Sequence, residues 1–200
     1  MKNIIKLVLV VFVITLSLNT NAQTKVKVLE DAFVQGGETS ETTFGTDKPK
    51  MLRIFNSQKE GKYSRIVYLK FKLPKNIKED SKTTLHFPIK VFINKNDGNL
   101  LFNLDVFTVT TNDWNENKIT WNTKPAEDVK VGEIKIAQSL NKKWSWQKIE
   151  LNSSELLKLA KSQKDNTITL ALLNNEFNKI SSNAPSKETS KKVASYLTIE

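Results

Sequence analysis

The chain has 200 residues, of which 38% are hydrophobic and 26% charged, a balance typical of a folded globular protein rather than a disordered or fibrous one. It contains no cysteine, which excludes disulfides, thiolate metal sites and cysteine nucleophiles, and its single histidine excludes a site built from two imidazoles. Lysine and arginine total 31 against 21 acidic residues, so the formal charge is +10.

Residues 1–22 are predicted to be a signal peptide that is removed from the mature chain. Lys2 and Lys6 give a positive start, and the apolar run Leu7 to Leu18 is shorter than the ~20 residues that a membrane-spanning helix needs. Small residues then precede Gln23. We therefore expect a chain secreted to the extracellular space or periplasm, without a membrane anchor, that forms one domain over residues 23–200.

The rest of the chain alternates apolar and polar residues with a period of two, the pattern of half-buried strands. In residues 83–94, Leu85, Phe87 and Ile89 fall on one side of the strand while His86 and Lys90 fall on the other. In chain order, strands are predicted over residues 25–30, 32–35, 52–56, 64–73, 83–94, 100–110, 133–136, 146–151, 167–173 and 192–199.

Turn-forming clusters separate these segments, among them Gly36-Gly37, residues 96–99, Asn174-Asn175 and residues 181–183. Only residues 153–161 have a helical pattern, with Asn152 or Ser153 as a cap. Many short strands, one short helix and no alternation of strands with helices predict an all-β fold of the sandwich type.

Four motifs carry a resemblance to a known family. They are Asp31-Ala32-Phe33-Val34-Gln35-Gly36-Gly37, Arg65-Ile66-Val67-Tyr68-Leu69-Lys70-Phe71, Trp114-Asn115-Glu116-Asn117-Lys118-Ile119-Thr120-Trp121-Asn122 and Ser186-Lys187-Glu188-Thr189. In this order the chain resembles carbohydrate-binding module family 96, also described as the DNRLRE domain. The resemblance implies a jelly-roll β-sandwich that binds an acidic polysaccharide, with alginate as the expected ligand, and that catalyses no reaction.

An alginate-like chain presents one carboxylate per ring, so a matching surface needs several cations, preferably including a guanidinium that can hold a carboxylate by two hydrogen bonds. The only arginines are Arg53 and Arg65. Arg65 shares strand parity with core residues, and an unpaired charge is too costly to bury, so we expect it at the mouth of the sandwich. The predicted ligand-binding residues are Arg65, Arg53, Lys48, Lys50, Lys187, and Gly36 and Gly37 with their free backbone amides.

Two alternatives for the site remain open. Arg65 has a structural interpretation as a salt bridge to Glu188 or Asp31. A second-choice binding surface is the outward face of the same strand, where Tyr68, Lys70 and Lys72 align, although a solvated strand face explains that pattern equally well. Exposed ion pairs contribute only about 0–1 kcal/mol each, so either site predicts weak, salt-sensitive binding.

Other functions are less consistent with the sequence. A structural or adhesive extracellular protein that binds matrix or a glycosaminoglycan is the main alternative, and a polysaccharide lyase would depend on the single histidine, His86. No catalytic residue, metal ligand or cofactor is assigned, although Glu30, Asp31 or Glu200 offer oxygen atoms to a structural calcium ion. We expect a monomer that does not bind nucleic acid.

Overall fold

The computed structural model describes residues 23–45, 51–57, 62–75, 77–94, 97–140, 143–163, 165–177, 179–190 and 192–200. Over these ranges the chain forms ten strands, one α-helix and a single 3-10 turn at Gly37–Thr39. The elements are β1 (Thr24–Gln35), β2 (Met51–Phe55), β3 (Arg65–Lys72), β4 (Thr83–Val91), β5 (Leu101–Val109), β6 (Glu127–Ala137), β7 (Ser145–Leu151), α1 (Ser153–Ser162), β8 (Thr167–Leu173), β9 (Ser181–Pro185) and β10 (Tyr196–Ile199).

The strands pair into two facing groups that are joined at their edges. One group has the order β1–β10–β4–β7, and the other has the order β1–β3–β8–β5–β6. Strand β1 belongs to both, because its first residues pair with β10 and, after a register shift between Val28 and Glu30, the remainder pairs with β3. Strands β2 and β9 connect β3 to β4, so the pairing closes into a barrel-like ring.

The main core fills the space between these groups. Its largest fully buried side chains include Phe33, Phe71, Phe87 and Phe102. Helix α1 packs Leu156 and Ala160 against this core, and its first turn is capped by the side chain of Asn152, which accepts from the backbone N–H of Glu155. The predicted all-β class with one short helix is therefore confirmed.

A second, smaller core lies on the opposite side of β3. The loop between β5 and β6 folds over the outer face of this strand, and Trp114 and Ile119 of the loop pack on Ile66 and Tyr68. The Trp114 indole N–H donates to Thr169 Oγ1 at 2.8 Å, which anchors the loop to β8. Strand β3 is consequently buried on both faces from Ile66 to Phe71.

The expectation that Tyr68 and Lys70 lie on an exposed face of the strand is therefore wrong. The Tyr68 hydroxyl donates to the carbonyl oxygen of Pro125 at 3.1 Å, and the Lys70 ammonium binds Glu30 at 2.9 Å and the carbonyl oxygen of Trp114. Alternating polarity predicts a solvated face, but here the polar atoms are satisfied inside the protein by a loop that is distant in sequence. Only Lys72, at the end of the strand, is exposed.

Strand boundaries differ from the sequence prediction at several elements, including the last strand, which begins at Tyr196 and not at residue 192. The predicted strands 25–30 and 32–35 are one continuous strand, and β6 extends well beyond the predicted residues 133–136. Strand β9 was predicted as a turn, because Ser181, Ser182 and Asn183 have low strand propensity. It forms because β2 and β4 pair with it on its two sides. Among the described residues, no helix has the length and apolarity required to cross a bilayer.

The buried hydroxyl of Tyr68 gives a first prediction. Tyr68→Phe removes the donor to Pro125 and Glu127 but keeps the ring that packs beside Trp114 at 6.0 Å between ring centroids. We expect the free energy of unfolding in urea to fall by about 1–2 kcal/mol. A substitution that left stability unchanged would contradict the buried hydrogen bond.

Candidate functional site

The two arginines line one concavity, although they lie on different strands. Arg53 is on β2, whose outward residues Met51, Arg53 and Phe55 are half-buried while Leu52 and Ile54 enter the core. Arg65 begins β3 and is opposite Phe55 in the antiparallel register. The concavity has a volume of about 160 Å³. We call it the arginine concavity, and its lining consists of Arg53, Arg65, Phe92, Ser181, Ser182 and Asn183.

The guanidinium of Arg65 has no acidic partner among the described residues. Its Nε donates to Gln35 Oε1 at 2.6 Å, and its guanidinium carbon lies 5.8 Å from the centre of the Phe55 ring. Burial lowers the pKa of Arg65, and the positive charge of Arg53 lowers it further. The expected alternative of a salt bridge to Glu188 or Asp31 is wrong, and the concavity holds positive charge that the described residues leave uncompensated.

The rim of the concavity adds a third cation and an aromatic ring. Lys90 of β4 is opposite Asn183 of β9, which is opposite Arg53 of β2, so the three side chains follow one another across neighbouring strands. The Lys90 ammonium lies 4.9 Å from the centre of the half-exposed Phe92 ring. Small residues of β9 thus form a floor between longer cationic side chains, which is the shape of a short groove.

A larger hollow adjoins the other side of Arg65. Its volume is about 420 Å³, and its lining includes Phe55, Ser64, Trp121 and Phe177 in addition to Arg65. Phe177 is 57% exposed. The guanidinium of Arg65 therefore lies between two depressions that both contain aromatic side chains.

The remaining residues predicted beside Arg65 have different positions. Gly36 is adjacent, but its backbone N–H donates to the carbonyl oxygen of Ser64 at 3.1 Å, so the expectation of a free amide there is wrong. Gly37 adopts a φ of +77°, which favours glycine, in the turn that follows β1. Lys48 and Lys50 lie outside the described residues.

Lys187 lies in a cluster of carboxylates, apart from the arginines. Its ammonium is 2.9 Å from Glu116 Oε2 and also contacts Glu188, while its backbone N–H donates to Asp31 Oδ2 at 2.7 Å. Lys187 is consequently the counter-ion of acidic groups within the protein. Asp31, Glu116 and Glu188 each offer one oxygen atom, and these three atoms lie within 4.8 Å of one another. We call these three residues the carboxylate cluster.

Asp31 is the most perturbed member of this cluster. Its side chain is fully buried, and burial raises the pKa of its carboxyl group to about 7. The backbone N–H of Lys187 opposes this shift, and the negative charges of Glu188 and Glu116 add to it. Of the calcium ligands suggested by the sequence, Asp31 is in the cluster, while Glu30 binds Lys70 and Glu200 accepts a hydrogen bond from Gln23.

A second surface with aromatic and cationic side chains was not anticipated from the sequence. On the outer face of the other strand group, Tyr196 stacks on His86 at 4.4 Å, and Trp146 lies 5.6 Å from the Tyr196 ring. The Lys25 ammonium is 3.6 Å from the centre of the Tyr196 ring. We call these four residues the Tyr196 surface. They come from four strands, so only the strand register brings them together.

His86 is engaged in structural contacts on that surface. Its Nε2 lies 3.0 Å from Thr198 Oγ1, and Tyr196 covers one face of its ring. Burial lowers the pKa of His86, and the charges of Lys148 and Lys25 lower it further, so the neutral imidazole is favoured.

Comparison with known proteins identifies the class of protein to which this chain belongs. The model of carbohydrate-binding module family 96 matches residues 22–200. The chain is therefore a member of that family, as the four sequence motifs predicted, and its ligand is expected to be a carbohydrate. The search of curated proteins gives no match.

Among solved structures, one similar chain is the K1 cleaved adhesin domain of Lys-gingipain from Porphyromonas gingivalis W83. The identity is 8%, the match covers 89% of this chain and 97% of the other, and the TM-score is 0.33. Similarity at this level supports neither a fold assignment nor a function.

The raised pKa of Asp31 predicts how the free energy of unfolding changes with pH. The buffer contains a chelator, so that no divalent cation binds the carboxylate cluster. The folded state binds this proton more tightly than the unfolded chain, whose ordinary Asp pKa is 3.8, so ionisation of Asp31 destabilises the fold. The stability that comes from protonated Asp31 is complete below about pH 4, declines as the pH rises, and is lost above about pH 7. Urea unfolding at several pH values measures it.

Asp31→Asn supplies the comparison, because an amide does not titrate. His86 has a lowered pKa and acts in the opposite direction over the upper part of this range, so the difference between the two proteins isolates Asp31. If the parent and Asp31→Asn had parallel stability profiles between pH 4 and pH 7, the buried carboxyl would not be titrating in this range.

Proposed function

We propose that the protein binds an acidic polysaccharide, with alginate as the expected ligand, in the arginine concavity and that it catalyses no reaction. The observation that carries the proposal is the pair Arg53 and Arg65, two guanidinium groups in one depression with no carboxylate partner among the described residues. Family membership supports a carbohydrate as the ligand. The positive charge favours a carbohydrate that carries carboxylates.

The chemistry of the concavity matches a uronate ring in three respects. Each guanidinium can hold a carboxylate through two parallel hydrogen bonds, which a lysine cannot do. On the floor of the groove, Ser181 offers its hydroxyl to sugar hydroxyls, next to Asn183, whose amide is held by Trp144 and Met51. The exposed ring of Phe92 offers an apolar face for stacking on the C–H side of a pyranose.

Arg53 and Arg65 would select an anionic ligand better than the many lysines, because several lysines are already paired with carboxylates of the chain. Lys70 and Lys187 are already bound to carboxylates of the chain. Binding an anion there would first require breaking those pairs. In contrast, an anion in the arginine concavity relieves the repulsion between Arg53 and Arg65 that lowers the pKa of Arg65.

The Tyr196 surface is a second location that could serve the same function. Trp146 is 43% exposed beside Tyr196, and Lys25 contributes a cation. Arg53 and Arg65 are absent from it, so a ligand bound there would depend on ring stacking more than on charge. Substitutions in the two surfaces separate these locations.

Absence of catalysis is supported by the state of the single histidine. A lyase needs a base that can reach a substrate proton, whereas the ring of His86 is stacked under Tyr196 and bound to Thr198. Incubation of the protein with alginate should therefore release no unsaturated products, which absorb in the ultraviolet. Appearance of such products would assign an enzymatic activity.

The remaining proposals concern the whole chain. Residues 1–22 form a cleaved signal peptide, and residues 23–200 form a secreted, monomeric domain; the charged start and short apolar run support export. The sandwich-like pairing, with β1 shared between strand groups, supports a jelly-roll type of connection. Mass determination of the secreted protein would show whether the mature chain begins at Gln23.

Substitution of the arginines tests the site. Arg53→Gln/Arg65→Gln should weaken alginate binding at least tenfold in affinity gel electrophoresis, because two charge-assisted contacts are lost. Arg65→Lys keeps the positive charge without the two-pronged geometry, and it should therefore give an intermediate affinity.

A matched control removes one charge elsewhere. Lys158→Gln changes an exposed residue of α1 whose side chain is 81% exposed, and it should leave binding unchanged. If Trp146→Ala lost alginate binding while the double arginine variant kept it in full, the binding site would be the Tyr196 surface. If a gel that contains heparin slowed the protein and a gel that contains alginate did not, a matrix-binding role would be favoured instead.

Salt dependence tests the ionic nature of the contact independently of any substitution. Alginate affinity of the parent protein should decrease steadily as sodium chloride is raised from low to physiological and higher concentrations, because exposed ion pairs are screened. The decrease should be shallower for the double arginine variant. An affinity that is independent of salt would contradict an ionic mechanism.

A further inference from the structure

The carboxylate cluster joins three parts of the chain that are far apart in sequence. Asp31 is on β1, Glu116 is on the loop between β5 and β6, and Glu188 is on the turn that follows β9. The backbone is tied to the same groups, since the N–H of Asp31 donates to Glu116 Oε2 at 3.2 Å and the N–H of Lys187 donates to Asp31 Oδ2. These contacts fix the carboxylates in place.

The charge of the cluster is not balanced by the described residues. Three carboxyl groups share one ammonium, that of Lys187, since the neighbouring Lys70 is bound to Glu30. Asp31 Oδ1 and Glu188 Oε2 are both buried and have no hydrogen-bond partner. Asp31 as a whole has 0% exposure, so water does not satisfy it from outside. Burying an oxygen of this kind without a partner is costly.

The donor set indicates which ion would satisfy these atoms. All three side chains offer carboxylate oxygens, which hard cations prefer, and the cluster contains no histidine or cysteine for zinc or copper. Mg²⁺ requires near-ideal octahedral geometry, whereas Ca²⁺ accepts irregular sets of six to eight oxygens at about 2.3–2.6 Å, including water. A cluster assembled from three chain segments fits Ca²⁺ better.

We propose that Asp31, Glu116 and Glu188 form a calcium site in which Ca²⁺ takes the place of the Lys187 ammonium. A divalent ion replaces one positive charge by two beside the carboxyl groups of Asp31 and Glu188, each of which has one buried oxygen without a partner. The Lys187 side chain is 22% exposed and borders a hollow of about 520 Å³ beside Lys25 and Tyr196. Its ammonium can therefore move into solvent when the ion enters.

Calcium at this position would stabilise the loop that covers β3. Glu116 belongs to the same loop as Trp114 and Ile119, whose side chains form the second core. The ion would fasten this loop to β1, with which it already shares the second core, and to the turn after β9. The expected result is a higher unfolding temperature in calcium than in chelator, independent of any polysaccharide.

Calcium binding to the chelator-treated, desalted protein can be measured by calorimetric titration with calcium chloride. We expect one site, and a rise in the thermal unfolding midpoint of about 3 °C or more at saturating Ca²⁺. Mg²⁺ should give a smaller rise at the same concentration. Absence of both a binding isotherm and a midpoint shift with Ca²⁺ would overturn the proposal.

Two substitutions with opposite expected effects distinguish a calcium site from a salt-bridge cluster. Glu116→Gln removes a ligand and should weaken Ca²⁺ binding at least tenfold. Lys187→Met removes the competing ammonium and should tighten Ca²⁺ binding at least tenfold, although it lowers stability in chelator. A cluster that serves only as a salt bridge would show no gain of Ca²⁺ affinity in Lys187→Met, and that result would overturn the proposal.

A matched control uses another group of acids around a lysine. Glu133 and Asp105 both contact Lys130, and the Glu133 side chain is 68% exposed. Glu133→Gln should retain the full calcium response, and loss of the response in that variant would mean that Ca²⁺ binds elsewhere. If Glu116→Gln does not fold, Glu188→Gln tests the same ligand set, and an undiminished calcium affinity in it would overturn the assignment.

Discussion

Strand β3 is buried on both faces, and the positions of the charged groups depend on this constraint. One face packs Val67, Leu69 and Phe71 into the main core, and the other packs Ile66 and Tyr68 under the loop between β5 and β6. A strand in this position cannot present charge along its length unless each charge is paired. Lys70 is bound to Glu30 for this reason, and the side chain at the start of the strand, Arg65, is the one that reaches the concavity.

The lysine excess is therefore a poor guide to where an anion would bind. Some lysines compensate carboxylates within the fold, as Lys187 does for Glu116 and Glu188. Others are exposed on the surface, where each contributes little to binding. What distinguishes Arg53 and Arg65 is that they line one concavity without a carboxylate partner among the described residues, and that burial and the charge of Arg53 lower the pKa of Arg65.

Two charged features of opposite sign thus follow from one fold. The arginine concavity holds positive charge, and the carboxylate cluster holds negative charge, each incompletely balanced by the described residues. Groups that cost stability in this way are a common mark of a binding site. The proposed ligands, a uronate and a calcium ion, differ in chemistry but satisfy the same physical requirement of charge balance.

The sequence by itself determined the β-rich fold class and the family, and it predicted that Arg65 lies at the end of a strand. The two-residue period, the short capped helix and the four motifs can be recognised without knowing which strands pair. The position of Arg65 at the end of a strand follows from the cost of burying an unpaired charge. Tertiary structure alone decided which side chains are exposed. Tyr68 and Lys70 have the polarity of a surface face but are covered by a distant loop. Lys187 resembles a free cation but neutralises Glu116 of that loop and its own neighbour Glu188. Strand β9 and the Tyr196 surface exist because of cross-strand register, which depends on contacts between residues far apart in the chain and therefore has no local signal.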